Sequence, residues 1–336
     1  MLKIPDMPPL NTVAQQAVRD RQATLVKPPG ALGDLEALSI RLAGITGRVD
    51  WLPERRAIIV CAGDHGVVAQ GVSTVPSAIT AYMVGQFLNG TGAINVLARQ
   101  MVARLLVVDA GVAADLPEHR QLVRGKIAPG TADFSTGPAM TVEQAEQALQ
   151  LGLDVAQQEV ERGLDLLAIG EMGIGNTTAA SAIIAVITGR PVAEVTGRGT
   201  GLNDDRLRHK IKVIEQGLRV NTPVSDDLLA KVGGFEIGAM AGLMLGAAAQ
   251  RVPVLIDGLI CTAAALIAAE LQAAVRHYLI AGHQSAEPGH IIALEHLGLK
   301  PLLQLNMRLG EGTGAVLAMP IVEAAMRTLQ EMAVLE

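Results

Sequence analysis

Aromatic side chains are nearly missing from this sequence: three Phe, two Tyr and one Trp stand among 336 residues. A core that cannot be filled with rings is built from small and aliphatic side chains. With half the residues hydrophobic and alanine abundant, close helix-on-sheet packing is expected. Basic runs are missing too. A formal net charge of -6 without clustered Lys and Arg excludes nucleic acid as the main partner and leaves small molecules. Cysteine is scarce: Cys61 and Cys261 lie far apart in apolar stretches and read as buried, reduced thiols of a cytoplasmic protein rather than as a disulfide. No uninterrupted membrane-length run occurs. The most apolar stretch, residues 252–271, carries Pro253, Asp257 and Gly258 and reads as a buried strand followed by a helix. The opening MLKIPDMPPLNT is broken by Pro and Asp, so no secretory signal is expected.

Short apolar runs alternate with helical patterns through the middle of the chain, the mark of βα units and a mainly parallel sheet. The expected strands are 57–61, 105–109, 164–170, 254–257, 278–281 and 302–305. The expected helices are 77–100, 142–162, 177–188, 204–219, 226–250, 261–274 and 291–297. The first fifty residues read as helices and turns, with one helix over 11–24, and residues 314–335 read as one more helix. The fold class expected is therefore α/β, a Rossmann-like sheet flanked by helices. Residues 1–50 plus about 314–336 would make a small helical domain, and about 51–313 the large one.

Polar, glycine-containing turns follow strand after strand: Gly63-Asp64-His65, Asp109-Ala110-Gly111, Gly170-Glu171-Met172, Asp257-Gly258 and Gly282-His283-Gln284-Ser285. In open parallel sheets ligands collect at the carboxyl ends of strands, so converging turns of this kind would form one polar site. GEMGIGNTTAASAI follows a strand and opens a helix. Gly173 and Gly175 permit close backbone approach, and Asn176 and Thr177 supply cap chemistry, giving free amides at a positive helix end suited to phosphate. An ordinary capped strand-to-helix turn accounts for the same pattern. RLGEGTGAVLA brackets Glu311 with glycines, where a planar ring can approach a carboxylate whose pKa apolar walls would raise. The alternative is a cap for the last helix. TGRGTGLNDDRLRHK, with Gly199 and Lys210, and GHQSAEPGH, with Ser285, are further candidate anion sites that turn chemistry explains equally well. His65, His283 and His290 lack metal-ligand spacing and read as hydrogen-bonded loop residues.

Taken in order, KPPGALGDLE, AGDHGV, GEMGIGNTT, TGRGTGLND, VGGFEIGAMAG, DGLICTAAAL, GHQSAEPGH and RLGEGTGA span nearly the whole chain. Together they resemble the nicotinate-nucleotide:dimethylbenzimidazole phosphoribosyltransferase family. One departure is Ala31, where the family pattern KPxGSLG has serine.

The resemblance implies a homodimer and a reaction in which nicotinate mononucleotide and 5,6-dimethylbenzimidazole give α-ribazole 5'-phosphate and nicotinate, in the making of the cobalamin lower ligand. It implies Glu311 as the base, with Glu171, Lys210, Asp257 and Ser285 lining the site. Glu171 would stabilise charge on the ribosyl ring or orient the incoming base. The two glutamates are expected to meet across one cleft, on either flank of the sugar. The turn residues Gly173, Gly175, Asn176, Thr177 and Gly199 would hold the nucleotide. An apolar slot for the base is expected from Met172, Leu309 and Met83, with Ser77 and Gln86 as polar contacts. The scheme gives no role to a metal or redox cofactor. An NAD-dependent oxidoreductase shares the expected fold, but the GxGxxG turn is missing; a nucleotide-binding α/β protein would not need Glu311.

Overall fold

A computed structural model describes residues 2–335. Met1 and Glu336, the outermost residues of the expected small domain, lie outside the described residues. Six strands form one parallel sheet: β1 (Arg56–Gly63), β2 (Arg104–Gly111), β3 (Leu122–Arg124), β4 (Leu166–Met172), β5 (Val254–Ile256) and β6 (Leu279–Ala281). Their spatial order is β3-β2-β1-β4-β5-β6. This is the Rossmann-like α/β fold expected from the alternating pattern.

The central strands β1 and β4 are buried along nearly their whole length, because helices cover both faces, and so they read as unbroken apolar runs. Successive residues of β1 feed opposite layers. Ala57, Ile59 and Cys61 pack into one hydrophobic cluster, and Ile58, Val60 and Ala62 into the other. Both cysteines are buried and free.

Fourteen α-helices complete the described chain. The first pair is α1 (Thr12–Thr24) and α2 (Asp34–Thr46). Then come α3 (Ala78–Leu88), α4 (Ala93–Gln100), α5 (Val142–Glu161), α6 (Asn176–Thr188), α7 (Val192–Val195) and α8 (Asp204–Asn221). The last six are α9 (Leu228–Val232), α10 (Phe235–Ala249), α11 (Leu259–Leu271), α12 (Pro288–Leu297), α13 (Thr313–Leu317) and α14 (Met319–Glu331). Local chemistry sets several starts: Asn11 and Asn203 accept from the amides of Ala14 and Arg206, and Thr141 and Gln144 form a capping box. One layer carries α5, α6, α10 and α11; the other carries α1 to α4, α13 and α14. The two chain ends meet there. Arg21 donates to the carbonyl of Leu329 at 2.9 Å, and Leu25 bridges Val334. Among the described residues no helix is long and apolar enough to cross a membrane.

Several expected elements differ. Residues 302–305 make a single bridge, Leu303 to His283, rather than a strand, since Asn306 turns the chain away at φ +54°. The expected helix 77–100 is two, parted at Gly90, whose φ is +78°. The expected helix 226–250 is also two, parted at Gly233-Gly234, and residues 314–335 divide into α13 and α14. Strand β3 was not expected: it is two half-buried residues and an exposed arginine at the sheet edge, too short to leave an apolar run.

Candidate active site

Strands β1 and β4 lie side by side where the strand order turns outward in both directions, and ligands of such sheets bind beyond the carboxyl ends at that point. Strand β4 delivers Glu171 there. The turn Gly173-Ile174-Gly175 follows, with Gly175 at φ +97°, and releases the chain into α6, where the Asn176 and Thr178 amides bond back to the Gly173 and Gly175 carbonyls and the helix end is positive. The turn is pinned from α3, since the Ile174 amide donates to Thr80 Oγ1 at 3.1 Å.

A cavity of about 300 Å3 opens at this place, within the range of small-molecule sites. Of the residues singled out in the sequence, Glu171, Met172, Gly173, Gly175, Asn176 and Thr177 form one wall. Gly199, Ser285 and Leu309 come from three other loops. The side chain of Asn176 donates to Glu171 Oε2. Burial pushes the Glu171 carboxyl up to about 8, against that hydrogen bond and with help from the charges of Asp257, Glu236 and Glu311.

Lys210 lies just behind the wall. It is fully buried, and its Nζ donates to Thr177 Oγ1 at 2.8 Å and to the Gly197 carbonyl at 3.4 Å. Burial lowers its pKa to about 8, opposed by the charge of Glu287. Glu287 in turn accepts from the Gly199 amide at 3.1 Å.

Asp257 does not line the cavity. Its Oδ1 accepts from the amides of Gly314 and Ala315, at 2.7 and 3.1 Å, and its Oδ2 from Gly312 at 3.1 Å; His283 Nε2 lies 3.3 Å from Oδ1. This one carboxylate caps α13 and clamps the loop that carries Glu311. The loop needs a clamp, because Gly310, Glu311 and Gly312 all adopt positive φ, +84°, +62° and +88°, and Glu311 has a side chain that disfavours it.

The loop packs backbone-first against β4. A Cβ on Gly170 would fall 2.3 Å from the carbonyl carbon of Glu311, and one on Gly310 would fall 2.4 Å from Glu171 Oε1. Strand end and loop are therefore in contact, and each carboxylate has its own surroundings. Glu171 faces the cavity. Glu311 is not part of the lining; its Oε2 accepts from the Ile94 amide, 3.4 Å away in the first turn of α4. Burial raises the Glu311 pKa, the hydrogen bond from Ile94 opposes this, and the Asp257 charge adds to the rise. Ser77, Met83 and Gln86 are also outside the lining. They sit half-buried, Ser77 just before α3 and the other two on it, next in the chain to the α4 start against which Glu311 rests. Ser77 precedes α3 without capping it, and Met83 and Met172 pack against the same hydrophobic cluster.

The family model described as Phosphoribosyltransferase matches residues 7–336. A protein of Chloroflexus aurantiacus named nicotinate-nucleotide--dimethylbenzimidazole phosphoribosyltransferase is 60% identical over 97% of this chain and 93% of its own length. One of the same name from Desulforamulus reducens is 52% identical over 97% and 93%. A crystal structure of the Thermus thermophilus enzyme with that name superposes with a TM-score of 0.92, at 44% identity and 97% coverage of both chains. The chain belongs to this phosphoribosyltransferase family.

Nine lining residues were not singled out as contacts in the sequence, and four of them carry polar side chains: Thr200, His283, Glu287 and Arg308. Arg308 brings a cation to the rim and donates to the Gly199 carbonyl at 3.3 Å. His283 and Glu287 stood inside the GHQSAEPGH motif. What places them is the return of that loop past β5 and α8, which no local spacing reports. Among the described residues no group of three or more His, Cys, Asp or Glu is arranged to hold a metal ion.

Proposed function

We propose that the 300 Å3 cavity holds nicotinate mononucleotide and that the α3–α4 side of the Glu311 loop receives 5,6-dimethylbenzimidazole. The chain moves ribose 5-phosphate from the first to the second, giving α-ribazole 5'-phosphate and nicotinate in the synthesis of the cobalamin lower ligand. The observation that carries the reading is the contact between the β4 end, which bears Glu171, and the 308–312 loop, which bears Glu311. A ribose anomeric carbon placed at that junction would have its leaving ring on the Glu171 side and its attacking ring on the Glu311 side, as displacement with inversion requires.

Each residue then has a task. The phosphate is taken by the α6 amides, Thr177 and the Gly199 turn, with Lys210 supplying charge from behind and Ser285 a hydroxyl from the facing loop. The nicotinate ring starts cationic and leaves neutral, so it needs no acid. The cationic ring lowers the pKa of Glu171 on binding, and the resulting carboxylate stabilises charge as the glycosidic bond stretches. Attack by one benzimidazole nitrogen makes the other acidic, and Glu311 accepts that proton; burial raises its pKa toward a useful base strength. Met172, Leu309 and Met83 supply apolar contact to the base, with Ser77 and Gln86 at its polar edge. Asp257 acts as a positioning residue through the loop it clamps.

Two wider expectations belong to the same reading. The packing of α1, α2 and α14 around Val18, Leu42 and Val322 supports a small helical domain from the two chain ends, residues 1–50 plus about 314–336, beside a large domain over about 51–313. A cytoplasmic homodimer follows from the resemblance, and the two buried, free cysteines fit a reducing compartment; sedimentation of the purified chain reads the dimer directly.

The test of the reaction is nicotinate release followed by chromatography. Release from the mononucleotide is expected only when a benzimidazole is added, in equal amount to the ribosylated product. No release with any benzimidazole, or release without one, contradicts the reading.

Lys210→Met separates binding from folding. Affinity for the mononucleotide is expected to fall at least roughly tenfold, since a phosphate loses a nearby cation. Stability is expected to rise. Lys210 titrates at about 8 when folded and 10.5 when unfolded, so its burial cost is full below pH 8 and fades as pH climbs to 10.5. Thermal melts should show the variant's advantage largest below pH 8 and shrinking above it. A variant less stable than wild type at pH 7 would reject the assigned burial cost.

A further inference from the structure

The AGDHG turn after β1 has no part in the scheme above, yet it holds a buried histidine–carboxylate contact directly beneath the nucleotide wall. His65 Nε2 and Glu236 Oε1 stand 2.6 Å apart, both almost completely excluded from solvent. Asp64 fixes the turn from the other side by accepting from the Ala113 amide at 2.8 Å. Glu236 sits in the first turn of α10, where the helix dipole favours a carboxylate. Its Oε2 and the Nδ1 of His65 are buried without partners. A buried pair with two unsatisfied atoms costs stability compared with apolar residues of the same volume, a cost that a positional use would offset.

The surroundings say what is positioned. A Cβ on Gly173 would lie 2.3 Å from the Gly63 carbonyl and 3.5 Å from Glu236 Oε1, and one on Gly175 would lie 3.2 Å from His65 Cβ. On the α10 side, a Cβ on Gly234 would stand 2.5 Å from His65 Cε1. The turn between β4 and α6 therefore packs on the Gly63 carbonyl, on Val68, whose Cγ2 would lie 2.6 Å from a Cβ on Gly175, and on the His65–Glu236 pair.

We infer that His65 and Glu236 are positioning residues for the transfer, setting the Gly173–Asn176 turn against which the mononucleotide is placed. The inference rests on the proposed placement of the mononucleotide in this cavity. Four groups bear on Glu171: Asn176 from α6 donates to it, while Asp257 beyond β5, Glu236 of α10 and Glu311 each place negative charge near it. Removing the Glu236 charge should lower the Glu171 pKa.

The experiment compares wild type, Glu236→Gln and Glu236→Ala by steady-state kinetics across pH, by calorimetric titration of the mononucleotide, and by thermal melts. Glu236→Ala is expected to lose on the order of 10- to 100-fold in kcat/KM, mostly through KM for the mononucleotide. Glu236→Gln keeps an acceptor for His65 and should recover most of that KM, while its acid limb in kcat/KM moves to lower pH. An acid limb unmoved in Glu236→Gln overturns the inference, whether or not Glu236→Ala folds. Wild-type KM in a folded Glu236→Ala overturns it as well. Should wild type itself release no nicotinate, the proposed function fails separately, and the inference is then decided by the calorimetric comparison: equal affinity in wild type and Glu236→Ala overturns it.

Discussion

Glu311→Gln is expected to lower kcat by roughly 100-fold or more while the mononucleotide binds nearly as it does to wild type. Glutamine keeps the size and one carbonyl oxygen, so it can still accept from the Ile94 amide and hold the loop. What it cannot do is take a proton from the attacking benzimidazole. Because Glu311 lies outside the cavity lining and turns toward α4, its loss should barely touch the nucleotide side. The check is single-turnover kinetics beside calorimetry with the mononucleotide alone. Retained turnover would remove Glu311 from the role of base, and lost mononucleotide binding would mean that the two sides of the junction are not separable as described.

Asp257→Asn should be nearly as damaging by a different route. The wild-type carboxylate accepts three backbone amides with its two oxygens, and it is almost fully buried. An asparagine must turn its NH2 toward at least one of those N–H groups, leaving a buried donor facing a donor, at a cost of about 2–3 kcal/mol. That stability loss is measurable in urea. The larger consequence is catalytic: with the clamp weakened, three successive residues at positive φ are free to relax, and Glu311 with them. A fall in kcat of roughly 100-fold is expected from misplacement of the base, with a much smaller change in KM for the mononucleotide. Turnover close to wild type in a folded variant would show that the loop holds itself.

These two residues also mark the division between what could be read from the sequence and what could not. The central strands were legible because β1 and β4 are covered on both faces and so are apolar throughout, whereas β3, a short edge strand, leaves no such trace. Helix existence was legible and helix continuity was not. The break at Gly90 is a left-handed turn at φ +78°, and that at Gly233-Gly234 is set by tertiary approach, because the His65 ring stands where a Gly234 side chain would be. The nucleotide wall was visible as a glycine-rich strand-to-helix turn, since local chemistry alone makes that feature. Asp257 was visible as a polar residue at a strand end, but only the fold shows its carboxylate spent on α13 and the Glu311 loop. Likewise the sequence marks Glu171 and Glu311 as unusual carboxylates, yet that Glu171 lines the cavity while Glu311 accepts from the Ile94 amide depends on how the 308–312 loop lies against Gly170.

The account stands on leaving and attacking rings occupying opposite sides of one sugar, between the two glutamates. The anomeric configuration of the product, read by NMR from the H1'–H2' coupling and through-space contacts of the ribose, tests that most directly. The α-riboside is the result expected from a β-mononucleotide. A β-riboside would mean that both rings use the same face, and it would contradict the arrangement.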